Sequence, residues 1–496
     1  MKKLLRMTAL PTQALGSLLA VLVLAVAPAW AENVDSRIQA LENKLTRLKG
    51  EQMELKREAV AAAAATPTFN YRPGRGLTLE AADKSWAFRV RYEFNIDLNW
   101  QEGNDGRRNG DFEIFGRRNR PFFHYISNGG LYEYEMAFDC DANEKCGGIH
   151  AAVFYVHFEN MSPWFPKFQI GIHEPAAINT YDQGSTRTAA TLEYPLVRRG
   201  NGFNTGIHTG TGLVWEDLPA PGGLFPGTWN AHYYWVINGM SRGNGDTDQS
   251  SKTDHVVYFN VNPFSRSKNK WLNGIGASVG AWFGNVDERN TTNTRRRLQL
   301  RTATGSTKVS LFDTGTDADR GLHAYITPGL KYRVGPYTLL ASGGFDRWNS
   351  SQRSGADKKA GRGGEVGRVE GTYWKLINEI FVWSPKGLFT GTTSTPKSLL
   401  MAWSFERDDA ICGRPNCNED SGSSGQFSSN RVLLRELDLR YFVQSNVSVL
   451  LGWQWYDAAN LGTQQQVEVG CSKNNNTRAG RSCDWHDVTL RVAYYF

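Results

Sequence analysis

The residues with the clearest chemistry are arginines set among acids. Arg187, Arg198 and Arg199 lie in one long polar link, 175–206, with Asp182 and Glu193 as counter-charges. Arg89 and Arg91 fall on the polar side of an alternating segment, and Arg118 and Arg120 in the run Phe115-Gly-Arg-Arg-Asn-Arg-Pro121. A guanidinium carries a fixed charge and a planar fork of donors, so a cluster of them can replace the water around an oxyanion. Carboxylates oppose this: Glu93, Asp97, Glu133, Glu135 and Asp139 occupy equivalent alternating positions and weaken an anion preference. Arg295-Arg296-Arg297 and Arg301 form a further basic group, for which a solvated loop is the plainer account.

Six cysteines come as three close pairs, Cys140 with Cys146, Cys412 with Cys417, and Cys471 with Cys483. In an exported chain such local pairs read as disulfides. Neither C-x-x-C nor C-x-x-C-H occurs, so the spacing assigns no haem or other metal, and no cofactor motif is found. Gly276-Ala-Ser-Val-Gly280 matches the nucleophile-elbow pattern, yet it lies inside an alternating strand rather than at a strand-to-helix turn. With nine scattered histidines suggesting no Ser-His-acid set, the chain is not expected to be an enzyme.

These groups need a scaffold, and composition limits the choice. The 496 residues are 40% hydrophobic and 12% aromatic, with 51 glycines. So many aromatics argue against disorder, and a helical membrane bundle would need several long apolar runs. One exists, Leu15 to Ala27, preceded by Lys2, Lys3 and Arg6 and followed by Ala29-Trp-Ala31. This predicts a secretory signal over 1–31. Its removal takes the formal charge from +7 to +4, too little to identify a partner, and export makes nucleic acid improbable.

From Glu32 the pattern is helical. Val34, Ile38, Leu41, Leu45, Leu48 and Leu55 follow 4-3 spacing, broken at Gln52, which predicts a coiled-coil segment over 32–60. A lone amphipathic helix on a barrel rim is the alternative. Ala61–Ala65 and Arg72-Pro-Gly74 then read as a linker and lead-in over 61–85.

Beyond residue 86 the period becomes two. Phe88, Val90, Tyr92, Phe94, Ile96, Leu98 and Trp100 alternate with Arg89, Arg91, Glu93, Asn95, Asp97 and Asn99. The pattern recurs in sixteen segments, from 87–100 to 485–496, many of the length a tilted membrane strand needs. Long polar links alternate with tight turns such as Asn128-Gly-Gly130 and Ser445-Asn446, and all three cysteine pairs fall in the long set. The expectation is an all-β fold, a 16-stranded antiparallel transmembrane β-barrel over 86–496 with a short N-terminal helical segment. The even strand number puts both ends on the short-turn side, which places the coil in the periplasm. The ending Tyr494-Tyr-Phe496 looks like the aromatic terminus of outer-membrane barrels.

The arginine run with Leu131-Tyr-Glu-Tyr-Glu-Met-Ala-Phe-Asp139, the segment Phe168-Gln-Ile-Gly-Ile-His-Glu-Pro175, and Leu192-Glu-Tyr-Pro-Leu-Val-Arg-Arg199 resemble the phosphate-selective porins O and P. The resemblance is strongest over 111–200. It implies a homotrimer in the outer membrane, among lipid and lipopolysaccharide, passing small anions such as phosphate along a ladder of arginines. Arg118 and Arg120 would then point inward, Arg198 and Arg199 would sit near the constriction, and Arg187 in the same loop. The competing expectations are a general or cation-preferring porin, and a structural tether whose coil binds a partner.

Overall fold

A computed structural model describes residues 34–64, 67–103, 111–140, 148–173, 208–220, 223–237, 253–287, 297–301, 308–313, 319–351, 366–392, 395–412, 429–459 and 483–496. The chain divides into two units, Met1–Thr66 and Pro67–Phe496. In the first, α1 spans Val34–Ala64, running past the predicted end through the alanine run, whose residues are the best helix formers. Leu41, Leu45, Leu48 and Leu55 are all exposed on this helix.

The second unit begins with a correction. The segment read as a linker holds a hairpin, β1 (Thr68–Arg72) and β2 (Gly76–Glu80), so Pro73-Gly74 is a strand turn rather than a helix stop. Gly76 explains why the hairpin seats where it does. Its φ is 81°, and a Cβ there would lie 2.0 Å from the Val90 carbonyl oxygen, so only glycine permits this approach. After β2, Asp83 accepts the Ser85 backbone N–H at 2.9 Å, a bond that holds its carboxyl below the ordinary value.

Sixteen strands then form the wall. The first nine are β3 (Trp86–Gly103), β4 (Asp111–Ser127), β5 (Tyr132–Asp139), β6 (Gly148–His157), β7 (Lys167–His173), β8 (His208–Pro219), β9 (Thr228–Ile237), β10 (Thr253–Asn262) and β11 (Ile275–Asp287). Next, β12 (Arg297–Arg301) and β13 (Lys308–Asp313) pair as a separate two-stranded sheet, so part of the predicted solvated loop is a hairpin. The wall resumes with β14 (Asp319–Val334), β15 (Tyr337–Ser351), β16 (Val366–Trp383), β17 (Ser398–Cys412), β18 (Ser429–Gln444), β19 (Val447–Ala459) and β20 (Cys483–Tyr495).

Each wall strand pairs antiparallel with the next, and β20 closes on the Glu93–Gly103 half of β3. The other half of β3, Ala87–Val90, pairs with β2, so hairpin and final strand share one edge. Phe496 and Tyr92 exchange backbone hydrogen bonds, and the Phe496 ring stacks on Tyr71 of β1 at 5.4 Å. Tight turns at 335–336 and 445–446 stand at the hairpin end. The links at the opposite end include 174–207 and 460–482, which lie outside the described residues.

Burial is inverted relative to a water-soluble fold. Outward Leu330, Trp235 and Trp453 are exposed, while inward Asp97, Glu406, Asp438 and Gln454 are 0% exposed. Water would penalise so continuous an apolar exterior, whereas lipid favours it. The core of the molecule is therefore its polar interior.

Candidate functional site

The alternation of β3 sends its polar side chains inward, and the neighbouring strands meet them. Arg118 of β4 places Nη1 3.4 Å from Glu93 Oε1. Arg120, two residues on, grips Asp139 of β5 with Nε to Oδ1 and Nη2 to Oδ2, each at 3.0 Å. Parity is set by a bulge: Asn95 faces Arg118 and Ile96 faces Gly116, leaving Arg117 as the extra residue. Both predicted pore arginines thus point inward, but each is buried beside a carboxylate, which offsets its charge.

Nearer the hairpin end the wall stays wetter. Arg91 donates to His124 Nε2 from Nε at 3.0 Å and Nη2 at 2.6 Å, and lies 3.9 Å from Glu135. His124 Nδ1 faces Glu133 Oε1 at 3.1 Å and Glu135 Oε2 at 3.5 Å. The second oxygen of Glu133 faces His157 Nε2 at 3.1 Å, and His157 Nδ1 faces Glu159 at 2.7 Å. One continuous chain of polar groups therefore runs across β3, β4, β5 and β6. The histidines did not look like a set in the sequence, because His124 and His157 sit on different strands.

The far wall differs. Lys375 and Glu406, 3.8 Å apart, are 1% and 0% exposed, whereas the side chains of Arg91 and Glu133 retain 35% and 21%. Around Asn70, Arg72, Arg75, Thr78, Lys84 and Arg89 a cavity of about 390 Å³ opens between the hairpin and the β3–β4 wall. Arg89 reaches Thr78 Oγ1 at 3.4 Å, and Glu80 is the carboxylate lining the space.

Arg187, Arg198 and Arg199 lie outside the described residues, as do Cys146, Cys417 and Cys471. Cys140 follows the end of β5, Cys412 ends β17 and Cys483 begins β20, all at the end opposite the hairpin. Ser278 lies within β11 opposite Asn260 and Gly329, in strand geometry rather than on an elbow.

A closed sixteen-strand barrel with a polar interior and an apolar exterior has the architecture of the outer-membrane porins. By sequence the chain matches no protein-family model and no curated protein. By fold it is similar to the outer membrane channel DcaP of Acinetobacter baumannii, with a TM-score of 0.50 and 10% identity, over 83% of this chain and 98% of that one. More distant are outer-membrane expressed OmpT of Vibrio cholerae (0.49, 10% identity, 83% and 98% covered) and Salmonella typhi OmpF in complex with daunomycin (0.45, 10% identity, 86% and 100% covered).

Proposed function

We propose that the chain is an outer-membrane porin, a passive water-filled path for small solutes with a preference for anions such as phosphate. The observation that carries the porin reading is the inverted burial, with charged side chains inside and aromatics outside. Anion preference rests on Arg72, Arg75, Lys84 and Arg89 around one cavity at the hairpin end, together with the resemblance to phosphate-selective porins. The arginine-rich link 175–206 belongs to the same reading, with Arg198 and Arg199 at the constriction. A homotrimer, three disulfides in the outer links and a periplasmic coil complete it. The exposed leucine stripe of α1 supports self-association.

A general or cation-preferring porin is the second reading, favoured by the carboxylates that pair with Arg118 and Arg120. Planar-bilayer recordings in a salt gradient decide between them. Wild-type protein is expected to give a reversal potential of anion sign, reduced when Arg198 and Arg199 become Ala. A cation-selective or silent channel would refute the anion reading.

A further inference from the structure

We infer that His124, Glu133 and Glu135 form a site for one divalent transition-metal ion on the interior wall, near the hairpin end of the barrel, with His157 as a positioning residue that holds Glu133. Ligand atoms of His124, Glu133 and Glu135 already lie within 4.8 Å of one another. Tetrahedral bonds of about 2.0–2.2 Å place neighbouring ligand atoms about 3.3 Å apart. The spacings here are close to that: 3.1 Å from His124 Nδ1 to Glu133 Oε1 and 3.5 Å from His124 Nδ1 to Glu135 Oε2, while His157 Nε2 holds the other oxygen of Glu133 at 3.1 Å. An ion drawn in between these groups needs small side-chain shifts and no movement of the sheet.

Charge points the same way. Three carboxylates, Glu133, Glu135 and Glu159, stand in the cluster; the Arg91 guanidinium lies 3.9 Å from Glu135, and the nearby Lys167 is held by Glu216 at 3.1 Å. The cluster is therefore rich in negative charge, and a divalent ion would offset it. Mixed imidazole and carboxylate ligands select zinc and its neighbours over calcium or magnesium, which prefer oxygen alone. The wall also supplies support around the ligands. Glu135 can offer Oε2 to the ion while Oε1 faces Arg91, and Glu159 orients His157 through its other ring nitrogen.

Arg91 is the competitor. It donates to His124 Nε2, whereas a metal on Nδ1 leaves a proton on Nε2, so the guanidinium must turn away. The Phe122 ring, 5.1 Å from its Cζ, and Glu135 are partners it can keep. Once bound, the ion ties β4 and β5 together and makes the interior wall more positive at that level. The side chains of Glu133 and His157 are about a fifth exposed, which leaves a route in from solvent.

The test uses untagged full-length protein in detergent, stripped with chelator and titrated with Zn2+ or Co2+. About one ion per chain is expected to survive desalting, and Co2+ is expected to show the visible absorption of a low-symmetry site. His124→Ala and His157→Gln should each weaken Zn2+ binding roughly 100-fold, the scale set by loss of a ligand or its support. Arg91→Gln should strengthen it several-fold. Heat-modifiable migration in gels confirms that each variant is a folded barrel; His157→Gln, at a strand end, serves if His124→Ala does not fold. Wild-type protein that retains no Zn2+, or a folded histidine variant that binds as tightly as wild type, overturns the site.

Discussion

Arg491 of β20 clasps Asp97 of β3 through two parallel hydrogen bonds, Nε to Oδ1 at 2.7 Å and Nη2 to Oδ2 at 2.6 Å. The two residues are direct partners across the seam where the last wall strand meets the first. Both are almost wholly buried, and Thr489 adds a bond to Asn99 two residues along the same face, at 2.8 Å. Barrel closure is thus locked by polar contacts on its inner face.

Breaking this clasp from one side should be costly. Arg491→Met leaves Asp97 buried without its guanidinium, a loss of about 3–5 kcal/mol for a buried pair. Urea unfolding in lipid vesicles should show that loss, and the double variant Arg491→Met with Asp97→Asn should recover part of it. A double variant as unstable as the sum of the singles would mean that the two side chains do not interact.

The seam also separates what was readable in the sequence from what was not. The full alternation from Phe88 to Trp100 marks β3 unambiguously, because a strand between lipid and water must change polarity at every residue. That alternation, together with the regular exchange of long and short links, marks the sixteen wall strands, each within about five residues of its observed bounds. The β1–β2 hairpin was hidden because its strands are short and its Pro73-Gly74 turn follows closely on a helix. The pairing of Arg118 and Arg120 with carboxylates, and the meeting of His124 with Glu133 and His157, depend on cross-strand register and on the bulge at Arg117. No spacing within one strand encodes those contacts.

Selectivity should follow charges that lack a local partner. Replacing Arg120 and Asp139 together, as Arg120→Gln with Asp139→Asn, removes a neutral pair and should leave the reversal potential within a few millivolts of wild type. Arg72→Gln with Arg75→Gln removes two positive charges from the cavity at the hairpin end and should move the potential toward cations. If the two double variants behave alike, the cavity does not contribute to selectivity.

The coil should assist assembly without being the whole of it. Its exposed Leu41, Leu45 and Leu48 form fewer than four heptads, too short a seam for firm association alone. Replacing all three with Asn is expected to lower the temperature at which oligomers dissociate in mild detergent, while barrels still associate in the cold. Cross-linking yields that match wild type at every temperature would remove the coil from assembly.

The cysteine pairs should be oxidised in protein isolated from the membrane. Alkylation under denaturing, non-reducing conditions is expected to label none of the six, and prior reduction should expose all of them. Peptide mapping should then join Cys140 to Cys146, Cys412 to Cys417 and Cys471 to Cys483. Labelling of any pair without reduction would remove that disulfide.

The hairpin should depend on one glycine. At Gly76 both the φ of 81° and the 2.0 Å approach of an added Cβ to the Val90 oxygen exclude a side chain, so Gly76→Val must lift β2 from β3. The barrel would remain closed at β20, because that pairing begins at Glu93, beyond the hairpin's footprint. Trypsin offers a local readout, since the Arg75–Gly76 bond is cleavable whereas Arg72 is shielded by the following proline. Cleavage after Arg75 should rise at least tenfold in Gly76→Val protein that still migrates as a folded barrel, and Gly76→Ala should show a smaller rise. Equal cleavage in wild type and variant would mean that the hairpin is not held against β3 by this contact, and the basic cavity it encloses with Arg89 would lose one of its walls.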